Sequence, residues 1–152
     1  MLLALKIEPL MLGVRRKINN MSTWTHCAGI IRVNAIRLNK NDILDFDSIV
    51  GKECLFDDDI SVWEDMDEHP ENYMPCGSEG SLHKSIWVNP DTDCLAAFTV
   101  SVFGDLRDYS DVDAIKTWFI GVCNKLFVRE AVITIGCDIN EDTIVYRYSK
   151  ED

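Results

Sequence analysis

The stretch CLAAFTVSVF, residues 94–103, alternates with a period of two. Cys94, Ala96, Phe98, Val100 and Val102 fall on one side of it, and Thr99 and Ser101 on the other. Only an extended strand carries every second side chain to one face, so this chain must build a sheet with one buried side. Such a face has to be covered by a second layer. HCAGIIRVNAIR, residues 26–37, repeats the pattern, with Cys27, Ile31, Val33 and Ala35 inward and Arg32 and Asn34 outward. The covering layer has its own signature. Val112, Ile115, Phe119, Val122 and Leu126 recur at helical spacing. Ser110 and Asp113 give a capping-box-like start, and Lys125 and Arg129 suit the negative end of the helix dipole.

A shorter helix is expected within residues 41–53. Asn41 caps it, Asp42 and Asp45 favour its N-terminal end, Ile43, Phe46 and Val50 form its stripe, and Gly51 stops it. SLHKSIWVNPD, residues 81–91, reads as a strand joined through residues 90–93 to the strand 94–103 as a hairpin. GDLRDY, residues 104–109, reads as a loop, and AVITIGCD and TIVYRY, residues 131–138 and 143–148, as two final strands around a turn. The expected fold is an α+β two-layer sandwich, a mainly antiparallel sheet with two helices on one face. Its first six elements have ferredoxin-like order, and the C-terminal strand is an addition.

The 152 residues suit one domain with a real core. The net charge of −11 argues against direct nucleic-acid binding, which needs Lys and Arg to displace counterions from phosphates. Residues 1–20 differ from the rest, with four basic residues against one acid; without them the net charge is −14. Lys6, Glu8 and Pro9 interrupt their apolar run, so they neither span a membrane nor resemble a secretory signal. They read as an extension ahead of a domain at 21–152, or alternatively as a short basic amphipathic arm that docks on the acidic segment or on a neighbouring subunit. No two of the six cysteines stand at metal-knuckle or redox spacing, which suits reduced thiols in a cytoplasmic protein.

Between Glu53 and His83 lie ten carboxylates and no Lys or Arg. Self-repelling charge of this density is either a solvated loop or a surface shaped for a cationic partner. Asp57, Asp58, Asp59, Glu64, Asp65, Asp67 and Glu68 would steer that partner, and Trp63, Met66, Tyr73 and Met74 would anchor it. Asp57, Asp59, Ser61, Asp65 and Glu68 also stand at the oxygen-ligand positions of a calcium loop, with the Trp63 carbonyl at the seventh. Val62 replaces the glycine its turn requires, Glu64 stands where an apolar residue is usual, and Pro70 blocks the exit helix. No other cofactor is expected.

Catalytic constellations are weaker. Cys76 and His83 are the candidate nucleophile and base, but Glu79 nearby would raise the thiol pKa. His26 and Cys27 point to opposite faces of a strand. GSEGS leads into a strand, not the helix a phosphate loop needs. Arg107 is expected to pair with Asp105 or Asp108 and order a turn. Trp24, Trp87 and Trp118 read as core or rim, and His69, Cys76 and His83 match no zinc spacing.

GSEGSLHKSIWVNPD and FTVSVFGDLRDY resemble, in style over residues 24–148, small accessory proteins of bacterial viruses and prophages. The resemblance implies an acidic protein in the host cytoplasm with a host-interaction role, and no catalytic residue. The expected function is therefore non-catalytic binding of a macromolecule, in its concrete form inhibition of a host nucleic-acid-binding protein. Alternatives are a small-ligand or divalent-metal domain using residues 57–68, and a self-assembling structural component using the strand pair 131–148.

Overall fold

The computed structural model describes residues 22–34, 45–54, 60–88, 97–139 and 143–150. Five strands, β1 (Trp24–Asn34), β2 (Leu82–Val88), β3 (Ala97–Arg107), β4 (Val128–Cys137) and β5 (Ile144–Arg147), form one open sheet in the order β2-β3-β1-β4-β5. Every neighbouring pair is antiparallel. Three helices, α1 (Phe46–Val50), α2 (Ile60–Glu68) and α3 (Val112–Asn124), accompany the sheet, with a 3-10 turn at Pro70–Asn72.

The period of two sorts the sheet as expected. Cys27, Ile31 and Val33 of β1 are buried, as are Phe98, Val100 and Val102 of β3 and Ile133 and Ile135 of β4. Against them α3 lays Ile115, Phe119, Val122 and Cys123, and α1 adds Val50. The Phe119 ring meets Tyr146 of β5 edge-on at 6.4 Å, and Phe46 meets Phe98 at 5.6 Å. Trp118 Nε1 donates to the Val50 carbonyl at 3.0 Å and ties α3 to α1. The opposite sheet face has no helix over it among the described residues and exposes Ile30, Trp87, Phe103 and Val145.

Four details depart from the sequence reading. β3 runs on to Arg107, taking in residues expected to form a loop, because the inward series continues through Gly104 to the fully buried Leu106. Asp111, not Ser110, caps α3, its carboxylate accepting from Ala114 N–H at 2.9 Å. Asp45 caps α1 by accepting from Ser48 N–H at 3.2 Å. The acidic segment, read as a loop, contains α2. Residues 1–21, Ala35, Asn41, Asp42, Ile43, Cys94 and the 90–93 turn lie outside the described residues. Among those described, no helix is long and apolar enough to cross a membrane.

Candidate functional site

Between α1 and β2 the chain leaves the sheet and returns, and both joints of this excursion are main-chain hydrogen bonds. Lys52 N–H donates to the Asn72 carbonyl, and Met74 N–H to the Lys52 carbonyl, each at 2.8 Å. Nearer β2, Cys76 bridges to Ser81, and Gly77 N–H donates to the Gly80 carbonyl at 3.1 Å. This loop lies on the end of β3: Ser78 N–H donates to the Arg107 carbonyl and Arg107 N–H to the Glu79 carbonyl. A Cβ at Gly77 would stand 2.2 Å from the Arg107 carbonyl oxygen, so the glycine serves close backbone approach, not phosphate binding.

α2 forms inside the excursion although its charges oppose it. Asp67 and Glu68 stand at its C-terminal end, where the helix dipole disfavours anions. None of its residues is buried. Pro70 ends it, because the residue before a proline is pushed out of helical backbone. Contacts from outside the helix help hold it in place. The Tyr73 hydroxyl donates to Asp65 Oδ2, and Lys52 Nζ approaches the same oxygen at 3.6 Å. The Tyr73 hydroxyl holds the Asp65 carboxyl below its ordinary range, with Lys52 adding to the shift. In return Asp65 pushes the Tyr73 phenol up to about 12. Asp65 thus positions the helix through Tyr73 while its side chain stays 41% exposed.

So fixed, α2 stands across from α3 and encloses a groove of about 510 Å³. Trp63 and Met66 line it from α2, Tyr73, Met74 and Cys76 from the returning limb, and Tyr109 and Trp118 from the α3 side. All four expected anchors meet here. Met74 is 2% exposed and Trp63 39%, so one belongs to the core and the other is offered to solvent. Asp67 and Glu71 reach the groove, and Glu64 and Glu68 are exposed on the same helix. Asp57, Asp58 and Asp59 lie outside the described residues. Tyr109 and Trp118 were not singled out as site residues. Their one sequence signal is that Trp118 sits beside Phe119, just off the apolar stripe, where a large ring flanks the covered face.

The calcium spacing does not take the shape it requires. Ser61, Asp65 and Glu68 lie on α2, whereas a calcium loop turns its ligands around one point, and Asp65 is already engaged by Tyr73. His69 pairs with Glu71 at 3.4 Å and His83 with Glu53 at 3.1 Å, so the drawn zinc set is not assembled. Among the described residues no group of three His, Cys, Asp or Glu is placed to hold a metal ion.

Cys76 corrects a second expectation. The neighbouring Cys54, whose thiol donates to the Met74 carbonyl at 3.3 Å, lowers the Cys76 pKa, while Glu79, expected to raise it, is bound to Arg107 Nη1 at 2.6 Å. His83 provides no base for it, since its Nδ1 meets Glu53 and its ring lies 6.0 Å from Phe103. Arg107 pairs with Asp108 at 3.7 Å, as expected, and more closely with Glu79 at 2.6 Å, while Asp105 holds His26 Nδ1 at 2.6 Å. His26 and Cys27 face opposite sides, as expected. Comparison of the chain with protein-family models, with curated proteins and with solved structures finds no match.

Proposed function

We propose that this protein is a non-catalytic binding protein that receives a basic surface of a partner protein on α2 and buries one of its apolar side chains in the adjoining groove. The observation that carries this reading is the meeting of Trp63, Met66, Tyr73 and Met74 around one groove with Asp67 and Glu71 at it. The two parts have different work. Burying one Leu or Phe side chain contributes about 1.5–3 kcal/mol, whereas an exposed ion pair contributes roughly 0–1 kcal/mol. The groove therefore supplies affinity, and Glu64, Asp67, Glu68 and Glu71 supply approach rate and the choice of a cationic partner.

In its concrete form the protein is a phage-type accessory protein of the host cytoplasm, and its partner a nucleic-acid-binding protein whose phosphate-contacting surface α2 occupies. Spaced carboxylates on a helix meet Lys and Arg side chains as phosphates do. The strand order read inward from β5, β5-β4-β1-β3-β2, supports a ferredoxin-like arrangement extended by one strand.

The test is a pull-down from host lysate at low and high salt, using wild type and a variant with Glu64, Asp67, Glu68 and Glu71 changed to the amides. A basic protein held by wild type, released by salt and missed by the variant is the expected result. Equal capture by both chains overturns the reading.

A second reading, self-assembly, is favoured by the apolar side chains Ile30, Trp87, Phe103 and Val145 on the open sheet face. Sedimentation velocity decides it: a species that stays monomeric at high concentration removes this reading.

A further inference from the structure

We propose that the basic N-terminal segment, residues 1–20, docks in cis into the groove between α2 and α3 and competes there with the partner. This inference rests on the reading of the groove as a site for a basic, apolar-anchored ligand, and it names a ligand that the chain itself carries.

Three observations converge. The first is where the segment joins the fold. The Thr23 carbonyl accepts from Asp108 N–H at 2.6 Å, Arg107 Nη2 donates to Ser22 Oγ at 2.6 Å, and the Thr25 hydroxyl donates to the Tyr109 carbonyl. Tyr109 lines the groove, so the segment leaves the described fold beside it. The second is reach. Lys17 lies five residues before Ser22, a span of up to about 17 Å when extended.

The third is complementarity. The segment places Leu10, Met11 and Leu12 shortly before Arg15, Arg16 and Lys17. The groove has an apolar floor at Met66 and Met74 and acids at Asp67 and Glu71. The segment carries a net charge of +3 and the remaining chain −14. No other stretch of this chain joins an apolar triplet to a basic triplet.

Tethering makes weak affinity sufficient. A short tether gives an effective concentration on the order of 1 mM, so a segment with an intrinsic Kd of about 0.1 mM would hold the groove roughly nine-tenths of the time. An external ligand would then bind about tenfold more weakly than to an open groove. The arm sets a threshold that a true partner must exceed.

The experiment uses full-length chains and one probe, a fluorescently labelled synthetic peptide of residues 1–20. Its affinity is measured by anisotropy for wild type and for the triple variant Arg15→Glu, Arg16→Glu, Lys17→Glu. The variant is expected to bind the probe about tenfold more tightly, because its own arm no longer competes. Equal binding by both chains overturns the inference and leaves the groove reading standing. No binding by either chain also overturns it, and the groove reading is then decided by its own pull-down. A photo-reactive residue at Leu12 of the full-length chain gives the independent measurement. Cross-links to α2 or to residues 73–76 of the same chain support docking in cis. Cross-links only between isotopically light and heavy chains, or only elsewhere, overturn it.

Discussion

Tyr73 donates its hydroxyl to Asp65 Oδ2, and that bond fixes the acidic helix relative to the limb returning to β2. The bond has a pH signature. Because the Asp65 pKa is lowered in the fold, its contribution is complete above the ordinary value of 3.8 and is lost as pH falls through the lowered one. Tyr73→Phe is expected to remove that loss and to flatten the fall of Tm between about pH 5 and pH 2. The effect is small and shrinks with salt, since the carboxylate is solvent-screened. Superimposable acid limbs in the two proteins would show that the bond does not hold α2.

On the open sheet face, Asp105 raises the His26 pKa by its hydrogen bond, with Asp138 adding at 3.4 Å. Stability from a raised histidine is fully present below its ordinary 6.5 and is lost as pH rises through the raised value. Asp105→Asn should bring the His26 midpoint, followed by proton NMR, back toward 6.5. An unmoved midpoint would assign the shift to Asp138.

The thiols should react in a fixed order. Cys76 has its thiolate favoured by the neighbouring Cys54, while burial pushes Cys27 and Cys123 up to about 12. Iodoacetamide at about pH 8 is expected to modify Cys76 well before Cys27 or Cys123, as read by mass spectrometry. Cys54→Ala should slow Cys76, because the neighbour that lowers its pKa is gone. Faster modification in that variant would contradict the assignment.

Two glycines should respond oppositely to alanine. Gly80 has φ +77°, and a Cβ there would stand 2.0 Å from the Asp105 carbonyl oxygen. Gly80→Ala should cost more than about 1 kcal/mol by denaturant titration. Gly121 lies inside α3 with open space around its Cβ position. Gly121→Ala should gain roughly 0.5–1 kcal/mol.

The sheet was legible because every strand that packs on α3 or α1 alternates, and alternation survives in the sequence without knowledge of partners. The end of β3 was not, because Gly104 stands at an inward position and has no side chain to continue the alternation. There the inward series is kept by backbone contact with Ser81 in place of a side chain. α2 was hidden for a related reason. Trp63 and Met66 are three apart on one face, but the acids around them look like a solvated loop, and the helix depends on Tyr73 and Lys52 from outside it. The anchors of the groove were named from residue type. Its far wall, Tyr109 and Trp118, depends on where α2 lies against α3, which no local pattern encodes.

The two main-chain joints at Lys52–Tyr73 and Cys76–Ser81 carry a further consequence. Since α2 contributes no buried residue, the sheet and its core do not depend on its side chains. The excursion is a cassette: its chemistry can be rewritten by substitution while the scaffold beneath it folds as before.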